Sequence, residues 1–237
     1  MRIALNLSTL GDLPLSESLE QAARAGFKLV ELRAPSLKGD VAGLLRQHGL
    51  EAVSINALER VGERDLREEA RRLAALAAGL GCPYLLAVPG RPRRGLPEAL
   101  EELRGICRAE GVELAFEFLG FPWAAVRTLK TALGVFDGPL VVDTFHWALG
   151  DGSLDDLRAL DLSRLALVHV NDAPRGPLER LGDQDRLLPG EGVLELEGFY
   201  GVLRDLGYGG VYSVELFKPV GAERAYWAMT RLVGSEA

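Results

Sequence analysis

Short apolar runs alternate with segments of helical periodicity along the whole chain, and a glycine ends several of the helical segments. The apolar runs predict eight strands, at Ile3–Leu7, Lys28–Leu32, Glu51–Ile55, Tyr84–Val88, Glu113–Phe118, Leu140–Asp143, Leu165–Val170 and Val211–Leu216. The predicted helices are Ser16–Ala25, Val41–His48, Arg64–Leu80, Leu96–Glu110, Val126–Leu133, Leu154–Leu160, Leu196–Leu206 and Ala222–Val233. This strict alternation restricts the chain to folds that are built from β–α units.

The predicted strands are apolar with few interruptions, which is typical of a parallel sheet that helices cover. Eight β–α units in 237 residues fit a (β/α)8 barrel. The alternative is an open, doubly wound sheet, which usually carries a glycine-rich turn after its first strand. The segment Asn6–Gly11 lacks that turn. We therefore predict an α/β protein, a single-domain (β/α)8 TIM barrel that spans residues 1–237.

Charge and composition argue against several classes of protein. The net charge of −7 disfavours a nucleic-acid binder, because contacts to phosphate need a basic surface. No apolar run is long enough to cross a bilayer, and the N-terminal segment lacks the layout of a signal peptide. Cys82 and Cys107 are too few for a disulfide framework and fit unpaired thiols in a reducing compartment. We expect a cytoplasmic protein without a membrane or nucleic-acid partner.

Each of the last four predicted strands carries an acidic or imidazole side chain at its C-terminal end or one residue before it. These residues are Glu117, Asp143, His169 and Glu215. In a (β/α)8 barrel the C-terminal ends of the strands surround the mouth, where catalytic side chains lie. Neighbouring strands are only about 4.8 Å apart, so side chains from four adjacent strands can converge on one ion. One such residue could be an ordinary polar strand end, whereas four in succession indicate a site.

Three carboxylates and one imidazole form a ligand set that consists mostly of hard oxygen atoms. Such a set suits Mn2+, Mg2+ or Co2+, is also compatible with Zn2+, and leaves positions open for substrate oxygens. A group of carboxylates without a cation would repel itself strongly. We therefore expect one divalent metal ion, with Mn2+ as the first choice and Mg2+, Co2+ or Zn2+ as alternatives.

Two further polar residues lie near the ends of earlier predicted strands. Glu31 belongs to the second strand and Asn56 follows the third. Both could line the barrel mouth and bind sugar hydroxyls, and the alternative is a purely structural role at a strand end. The sequence does not decide between these two roles.

Seven segments of the chain resemble the xylose-isomerase-like TIM barrels, a superfamily of sugar phosphate isomerases and epimerases that also includes endonuclease IV. The segments are INAL (Ile55–Leu58), YLLAVP (Tyr84–Pro89), FEFLGFP (Phe116–Pro122), VVDTFHW (Val141–Trp147), HVND (His169–Asp172), DQDRLLPGEG (Asp183–Gly192) and SVELFKP (Ser213–Pro219). The resemblance is strong from Tyr84 onward, and the inosose isomerases (2-keto-myo-inositol isomerases) are the branch that the chain resembles most.

The resemblance implies that the four residues at the ends of strands five to eight are metal ligands. Of these, Glu117 and Glu215 match the two carboxylates that act as catalytic acid and base on opposite faces of the substrate. His146 matches a histidine that hydrogen-bonds a substrate oxygen near the metal, and Arg186 matches a substrate-side arginine in the seventh loop. With only three histidines, the chain does not match the three-zinc site of endonuclease IV.

The residues and the resemblance together predict a metal-dependent isomerase or epimerase of a polyhydroxy ketone, either an inosose or a ketose. Such an enzyme transfers a proton through a metal-stabilised enediolate. The alternatives are an inosose dehydratase-type lyase on the same scaffold and a non-catalytic sugar-binding protein. Tyr226 and Trp227 on the last predicted helix could pack on the barrel or on a second subunit, so a homo-oligomer is an open expectation.

Overall fold

The computed structural model of the chain describes the backbone of residues 2–234 and the side chains of residues 2–232. Within this range eight parallel strands form a closed barrel in sequence order, and the last strand pairs with the first. The strands are β1 (Arg2–Asn6), β2 (Leu29–Arg33), β3 (Glu51–Val61), β4 (Tyr84–Pro89), β5 (Glu113–Glu117), β6 (Leu140–Asp143), β7 (Leu165–Val170) and β8 (Val211–Val214). The predicted (β/α)8 barrel is confirmed.

Helices surround the barrel and connect its strands. Over residues 2–234 the α-helices are α1 (Leu15–Ala25), α2 (Val41–His48), α3 (Arg67–Leu80), α4 (Leu96–Ala109), α5 (Leu129–Val135), α6 (Thr144–Leu149), α7 (Leu154–Arg158), α8 (Leu196–Asp205) and α9 (Ala222–Gly234). Short 3-10 helices lie at Leu7–Leu10, Ala34–Ser36, Leu162–Arg164, Leu178–Arg180 and Asp183–Asp185. In this part of the chain, no helix combines the length and the hydropathy of a membrane-spanning segment.

The apolar core has two layers, because successive side chains of a strand point to opposite faces of the sheet. Ala4, Ala115 and Leu167 belong to the layer inside the barrel, where apolar side chains fill the narrow space. Leu5 and Val168 belong to the outer layer, which packs against the helices. Burial of each large side chain in these layers contributes roughly 1.5–3 kcal/mol. The packed barrel therefore holds the C-terminal ends of its strands in fixed positions.

Glycines in the left-handed conformation end several helices, as the sequence predicts. Gly26 follows α1 with φ 108°, and Gly81 follows α3 with φ 66°. Residues with a Cβ are strained at these φ values. At Gly26 a Cβ would also lie 3.0 Å from the ring of Tyr226 in α9. The glycine thus allows α1 and α9 to pack closely.

Strand β3 is longer than the sequence predicts. It continues to Val61 instead of ending at Ile55, because Leu58 pairs with Ala87 of β4 and Val61 pairs with Pro89. Register shifts in the ladder interrupt the regular apolar pattern along this extension. The longer strand moves the start of α3 by three residues towards the C-terminus, compared with the predicted start.

Helix α6 begins directly after β6 and was not predicted. The side chain of Asp143 accepts a hydrogen bond from the backbone N–H of His146 at 2.8 Å, which caps the helix. The segment Thr144–Leu149 is too short to show helical periodicity in the sequence. The helix places His146 beside Asp143 at the C-terminal end of the barrel.

Candidate metal centre

The four acidic and imidazole residues at the ends of β5 to β8 lie together in the structure and form a charged cluster. Glu117 and Asp143 are the last residues of β5 and β6, His169 is the penultimate residue of β7, and Glu215 directly follows β8. All four side chains are buried, and one potential ligand atom from each lies within 4.8 Å of the others. Closure of the barrel therefore brings the four side chains together, as the order of their strands predicts.

The imidazole of His169 lies between carboxylates on both sides of its ring. Its Nδ1 atom lies 3.2 Å from Glu117 Oε1 and 3.3 Å from Glu215 Oε2, and its Nε2 atom lies 3.0 Å from Glu31 Oε1. Burial alone would lower the pKa of His169, but the negative charges of Glu215, Glu31 and Glu117 outweigh it and raise the pKa well above its ordinary value. The cluster is thus a strongly negative environment that favours a positive charge at its centre.

The carboxylate of Glu215 is held by amide groups on one side and faces the cluster on the other. Its Oε1 atom accepts hydrogen bonds from Asn6 Nδ2 and Asn56 Nδ2, each at 2.8 Å. Its Oε2 atom accepts a bond of 2.8 Å from Arg186 Nη1. Burial raises the pKa of Glu215 to about 8, even though His169 acts in the opposite direction. This carboxyl group can therefore exchange a proton near neutral pH.

Arg186 brings a positive charge into the cluster from the loop after β7. Its Nη1 atom donates to Asp143 Oδ2 at 2.9 Å as well as to Glu215. Its Nη2 atom donates to Asp183 Oδ1 at 2.6 Å and to Nε2 of His146 at 2.9 Å. Burial and the neighbouring guanidinium both lower the pKa of His146, so its ring is neutral and its Nε2 atom acts as an acceptor.

Two asparagines that support the site were missed in the sequence. Asn6 ends β1 and donates to Glu215, and Asn171 follows β7 and donates through Nδ2 to Asp143 Oδ2 at 2.7 Å. The carbonyl oxygen of the Asn171 side chain also accepts from the backbone N–H of Phe145. Both residues are polar groups at strand ends, so the rule that selects Asn56 would also have selected them.

Glu31 lies below the end of its strand, and its expected contact with substrate stays a prediction. The side chain is fully buried (0% exposed) and is the third residue of β2, below the strand end. Its carboxylate accepts hydrogen bonds from Ser54 Oγ at 2.5 Å and Asn6 Nδ2 at 3.3 Å, and it contacts the ring of His169. All of these partners lie inside the barrel, so Glu31 supports the cluster from below.

A cavity of about 250 Å³ opens above the cluster at the C-terminal end of the barrel. Its polar lining includes Asn56, Glu117, His146, Asp183, Arg186 and Glu215. The apolar lining includes Trp123 and Phe217, which are 41% and 49% exposed and were not predicted as cavity residues. The volume lies near the lower end of the range for small-molecule sites. Of the expected substrate contacts, the structure thus places Asn56, His146 and Arg186 at the cavity.

A larger cavity of about 950 Å³ lies at the opposite end of the barrel, around the N-terminal ends of the strands. Its lining includes Arg2, Glu51, Tyr84 and Val211, and none of the four cluster residues. Functional sites of (β/α)8 barrels lie at the C-terminal end, where the smaller cavity and the charged cluster coincide. We therefore assign the functional site to the smaller cavity.

The donor set of the cluster fits one divalent cation. It offers three carboxylates and one imidazole nitrogen, and the Nε2 atom of the imidazole lies 3.1 Å from a carboxylate oxygen of Glu31. The mixture of oxygen and nitrogen donors is compatible with Mn2+, Mg2+, Co2+ and Zn2+. The geometry therefore supports a metal site without selecting the metal.

Comparisons with known proteins agree with the fold. An inosose isomerase from Bacillus velezensis is 28% identical over 250 residues, which cover 92% of this chain and 89% of that protein. A 3-dehydroshikimate dehydratase from Pseudomonas aeruginosa is 29% identical over 249 residues, which cover 91% of this chain but only 38% of that protein.

A solved structure of the IOLI protein with a bound zinc atom superposes with a TM-score of 0.87 and 25% sequence identity, and the match covers 99% of this chain and 97% of that chain. The family model for the xylose isomerase-like TIM barrel matches residues 19–231. The match extends over most of the chain, including all four cluster residues. The chain therefore belongs to the xylose isomerase-like TIM barrel family.

Proposed function

We propose that the protein is a divalent-metal-dependent isomerase or epimerase that acts on a polyhydroxy ketone, either an inosose or a ketose. One observation carries this proposal: Glu117 and Glu215 belong to the charged cluster and also line the cavity. The same two carboxylates are thus available to an ion on one side and to a substrate on the other. The inosose isomerase relative supports the choice of substrate class.

The four cluster residues would hold the metal ion. When bound, a divalent cation supplies a Lewis acid that stabilises negative charge as it develops on the oxygens of a substrate. Without such stabilisation, a hydrogen on a carbon atom next to a carbonyl group is too weakly acidic to leave. With the charge stabilised by the cation, the carboxylates of the protein need only transfer the proton.

Proton transfer is assigned to Glu117 and Glu215. One carboxylate takes the proton from the carbon next to the carbonyl, and the electron pair of the broken C–H bond moves into the carbonyl group. The other carboxylate, or the same one, returns a proton to the same carbon for epimerisation. For isomerisation it returns the proton to the former carbonyl carbon, while the hydroxyl proton of the neighbouring carbon moves to the former carbonyl oxygen and the new carbonyl group forms. Burial raises the pKa of Glu215 in the metal-free protein, and a bound cation would act in the opposite direction.

His146 and Arg186 are assigned to substrate binding. Both line the cavity, and Arg186 Nη1 lies within hydrogen-bond distance of Glu215. The guanidinium can donate to a substrate oxygen while it keeps its bond to Asp183 at the cavity rim. Trp123 and Phe217 supply apolar walls, which exclude water from one side of the substrate.

Substitution of the two proposed acid–base residues tests the function. We expect Glu117→Gln and Glu215→Gln each to lower kcat by about a hundredfold or more, because an amide cannot take up the proton. Turnover of inosose and ketose substrates is measured together with metal content, so that loss of the ion and loss of the base are distinguished. Glu113→Gln is the matched control, since Glu113 lies on the same strand as Glu117 at the opposite end of the barrel. Full activity of both cluster variants would refute the assignment.

The relationship to 3-dehydroshikimate dehydratase favours a lyase as the second candidate. Such an enzyme would remove the same proton and then expel a hydroxyl group from the adjacent carbon as water. NMR spectra of the product formed in D2O separate the two reactions. Incorporation of deuterium without loss of water supports the isomerase or epimerase, and loss of water supports the lyase.

A further inference from the structure

Glu31 is a fully buried carboxylate that the proposed proton transfer does not use. It lies on β2, on the opposite side of the His169 ring from Glu117 and Glu215. Glu31 is not one of the described residues that line the cavity. A buried carboxylate without a partner would be costly, so its contacts indicate what it does.

The two nitrogen atoms of His169 have different partners. Nε2 lies 3.0 Å from Oε1 and 3.1 Å from Oε2 of Glu31, so the carboxylate accepts the Nε2–H bond with both oxygens available. Nδ1 lies 3.2 Å from Glu117 and 3.3 Å from Glu215. Only Nδ1 therefore faces the other potential ligands.

We propose that Glu31 is a positioning residue that fixes the orientation and tautomer of His169, so that Nδ1 rather than Nε2 is the metal ligand. The inference rests on the metal dependence of the proposed function. A carboxylate that accepts from the distal nitrogen of a histidine also makes the other nitrogen a stronger ligand, because it withdraws the Nε2 proton partially. Glu31 thus acts on the metal through His169, without contacting substrate.

The surroundings of Glu31 hold its carboxylate in place for this role. Ser54 Oγ donates to Oε2 at 2.5 Å, and Asn6 Nδ2 donates to Oε1 at 3.3 Å. Both donors come from neighbouring strands, β1 and β3, which pair with β2 on either side. The carboxylate is therefore fixed from three directions and cannot turn away from the imidazole without leaving buried donors unpaired.

Metal affinity tests the inference directly. We expect Glu31→Gln to bind Mn2+ and Zn2+ about tenfold to a hundredfold more weakly than the wild-type protein in isothermal titration calorimetry, which is the usual effect of losing such a partner. Glu63→Gln is the matched control. Glu63 resembles Glu31 in being a shielded, hydrogen-bonded carboxylate, but it pairs with an arginine and does not contact His169. Equal metal affinity of Glu31→Gln and the wild-type protein would overturn the inference.

A measurement on the wild-type protein is independent of whether the variant folds. The chain contains only three histidines, so a 15N-labelled sample loaded with Zn2+ gives a spectrum that is simple to assign. We expect the His169 signals to show a zinc-bound Nδ1 and a protonated Nε2. A zinc-bound Nε2 would overturn the inference while leaving the proposed function intact. A wild-type protein that binds no divalent cation would overturn both.

Discussion

Glu215 combines burial with hydrogen bonds that leave only one of its oxygens facing the cluster. Oε1 is occupied by the amides of Asn6 and Asn56, and Oε2 faces His169 and Arg186. Because the group is removed from water, its neutral form is favoured in the metal-free protein. The protonation of this one residue should therefore affect the stability of the whole barrel.

The pH dependence of unfolding tests this effect. The pKa of Glu215 is raised from 4.5 to about 8, so between these values the folded state keeps a proton that the unfolded state loses. Stability then falls as the pH rises through this window. We expect the metal-free protein to unfold at a lower urea concentration at pH 8 than at pH 6.5.

The control for this prediction is a comparison of two variants. Glu215→Gln should show a smaller difference between the two pH values, because its side chain does not titrate. Glu113→Gln, at the other end of the barrel, should behave like the wild-type protein. An unchanged pH dependence in Glu215→Gln would contradict the assigned protonation.

The sequence predicts which residues lie near strand ends but not their depth in the barrel. The sequence predicts the same place at the barrel mouth for Glu31 and Asn56, yet Glu31 lies below His169 and Asn56 lies at the cavity. One residue along a strand changes the depth by about 3.3 Å and reverses the face. Because this offset depends on strand register, it becomes visible only in the structure.

At the scale of elements, the loop between β7 and α8 depends on one carboxylate. The side chain of Asp172 accepts backbone N–H groups from four loop residues at 2.8–3.1 Å. The donors are Ala173, Gly190, Gly192 and Leu194. Hydrogen bonds to a buried charged group are among the stronger ones in proteins. Asp172 therefore gives a fixed shape to the loop that carries Arg186.

Substitution of Asp172 tests this role. We expect Asp172→Asn to lower the free energy of opening the loop by about 2–3 kcal/mol, because an amide cannot accept all four bonds. Hydrogen exchange of the backbone amides in residues 173–194 should become faster, and kcat/KM should fall as Arg186 loses its position. Asp185→Asn should change exchange far less, because Asp185 accepts one backbone N–H, from Gly182, and one side-chain bond, from Gln184. Unchanged exchange in Asp172→Asn would refute the role.

Helix α6 shows where prediction of elements from sequence fails. Long helices such as α3 and α4 have enough turns for an apolar stripe, and their prediction was close to the observed bounds. Helix α6 has six residues and depends on the capping bond from Asp143. A residue that can be a strand end, a metal ligand and a cap at once gives no unique signal in the sequence.

A metal ion at the cluster would join four strands that span about a hundred residues of the chain. Glu117 and Glu215 are separated by about a hundred residues, and the cation would link their strands directly. An ion that binds only the folded state stabilises it by about 2.7 kcal/mol at a concentration of 100 times Kd. Metal binding should therefore be visible in global unfolding.

Thermal unfolding measures this stabilisation. At about 100 times Kd, we expect Mn2+ or Zn2+ to raise the Tm by roughly 5–10 °C for a chain of this size. A chelator should reverse the increase, and Asp143→Asn should show little of it. If the Tm of the wild-type protein does not respond to any divalent metal, the cluster does not serve as a metal site.

The overall architecture was the part of the molecule that the sequence predicted best. Strand–helix alternation, together with the right-handed connection of parallel strands, leaves few arrangements other than the closed barrel. Assembly is different, because it depends on surfaces. Tyr226 packs on Phe27 inside the molecule, whereas Trp227 is 66% exposed. A homo-oligomer that covers Trp227 therefore stays a prediction. A cytoplasmic location is a separate prediction.

A crystal structure of the protein soaked with Mn2+ shows whether the four cluster residues bind a metal ion. We predict a single strong peak in the anomalous difference map, within bonding distance of Glu117, Asp143, Glu215 and Nδ1 of His169. An ion bound elsewhere, or no peak at the cluster at saturating Mn2+, would contradict the account.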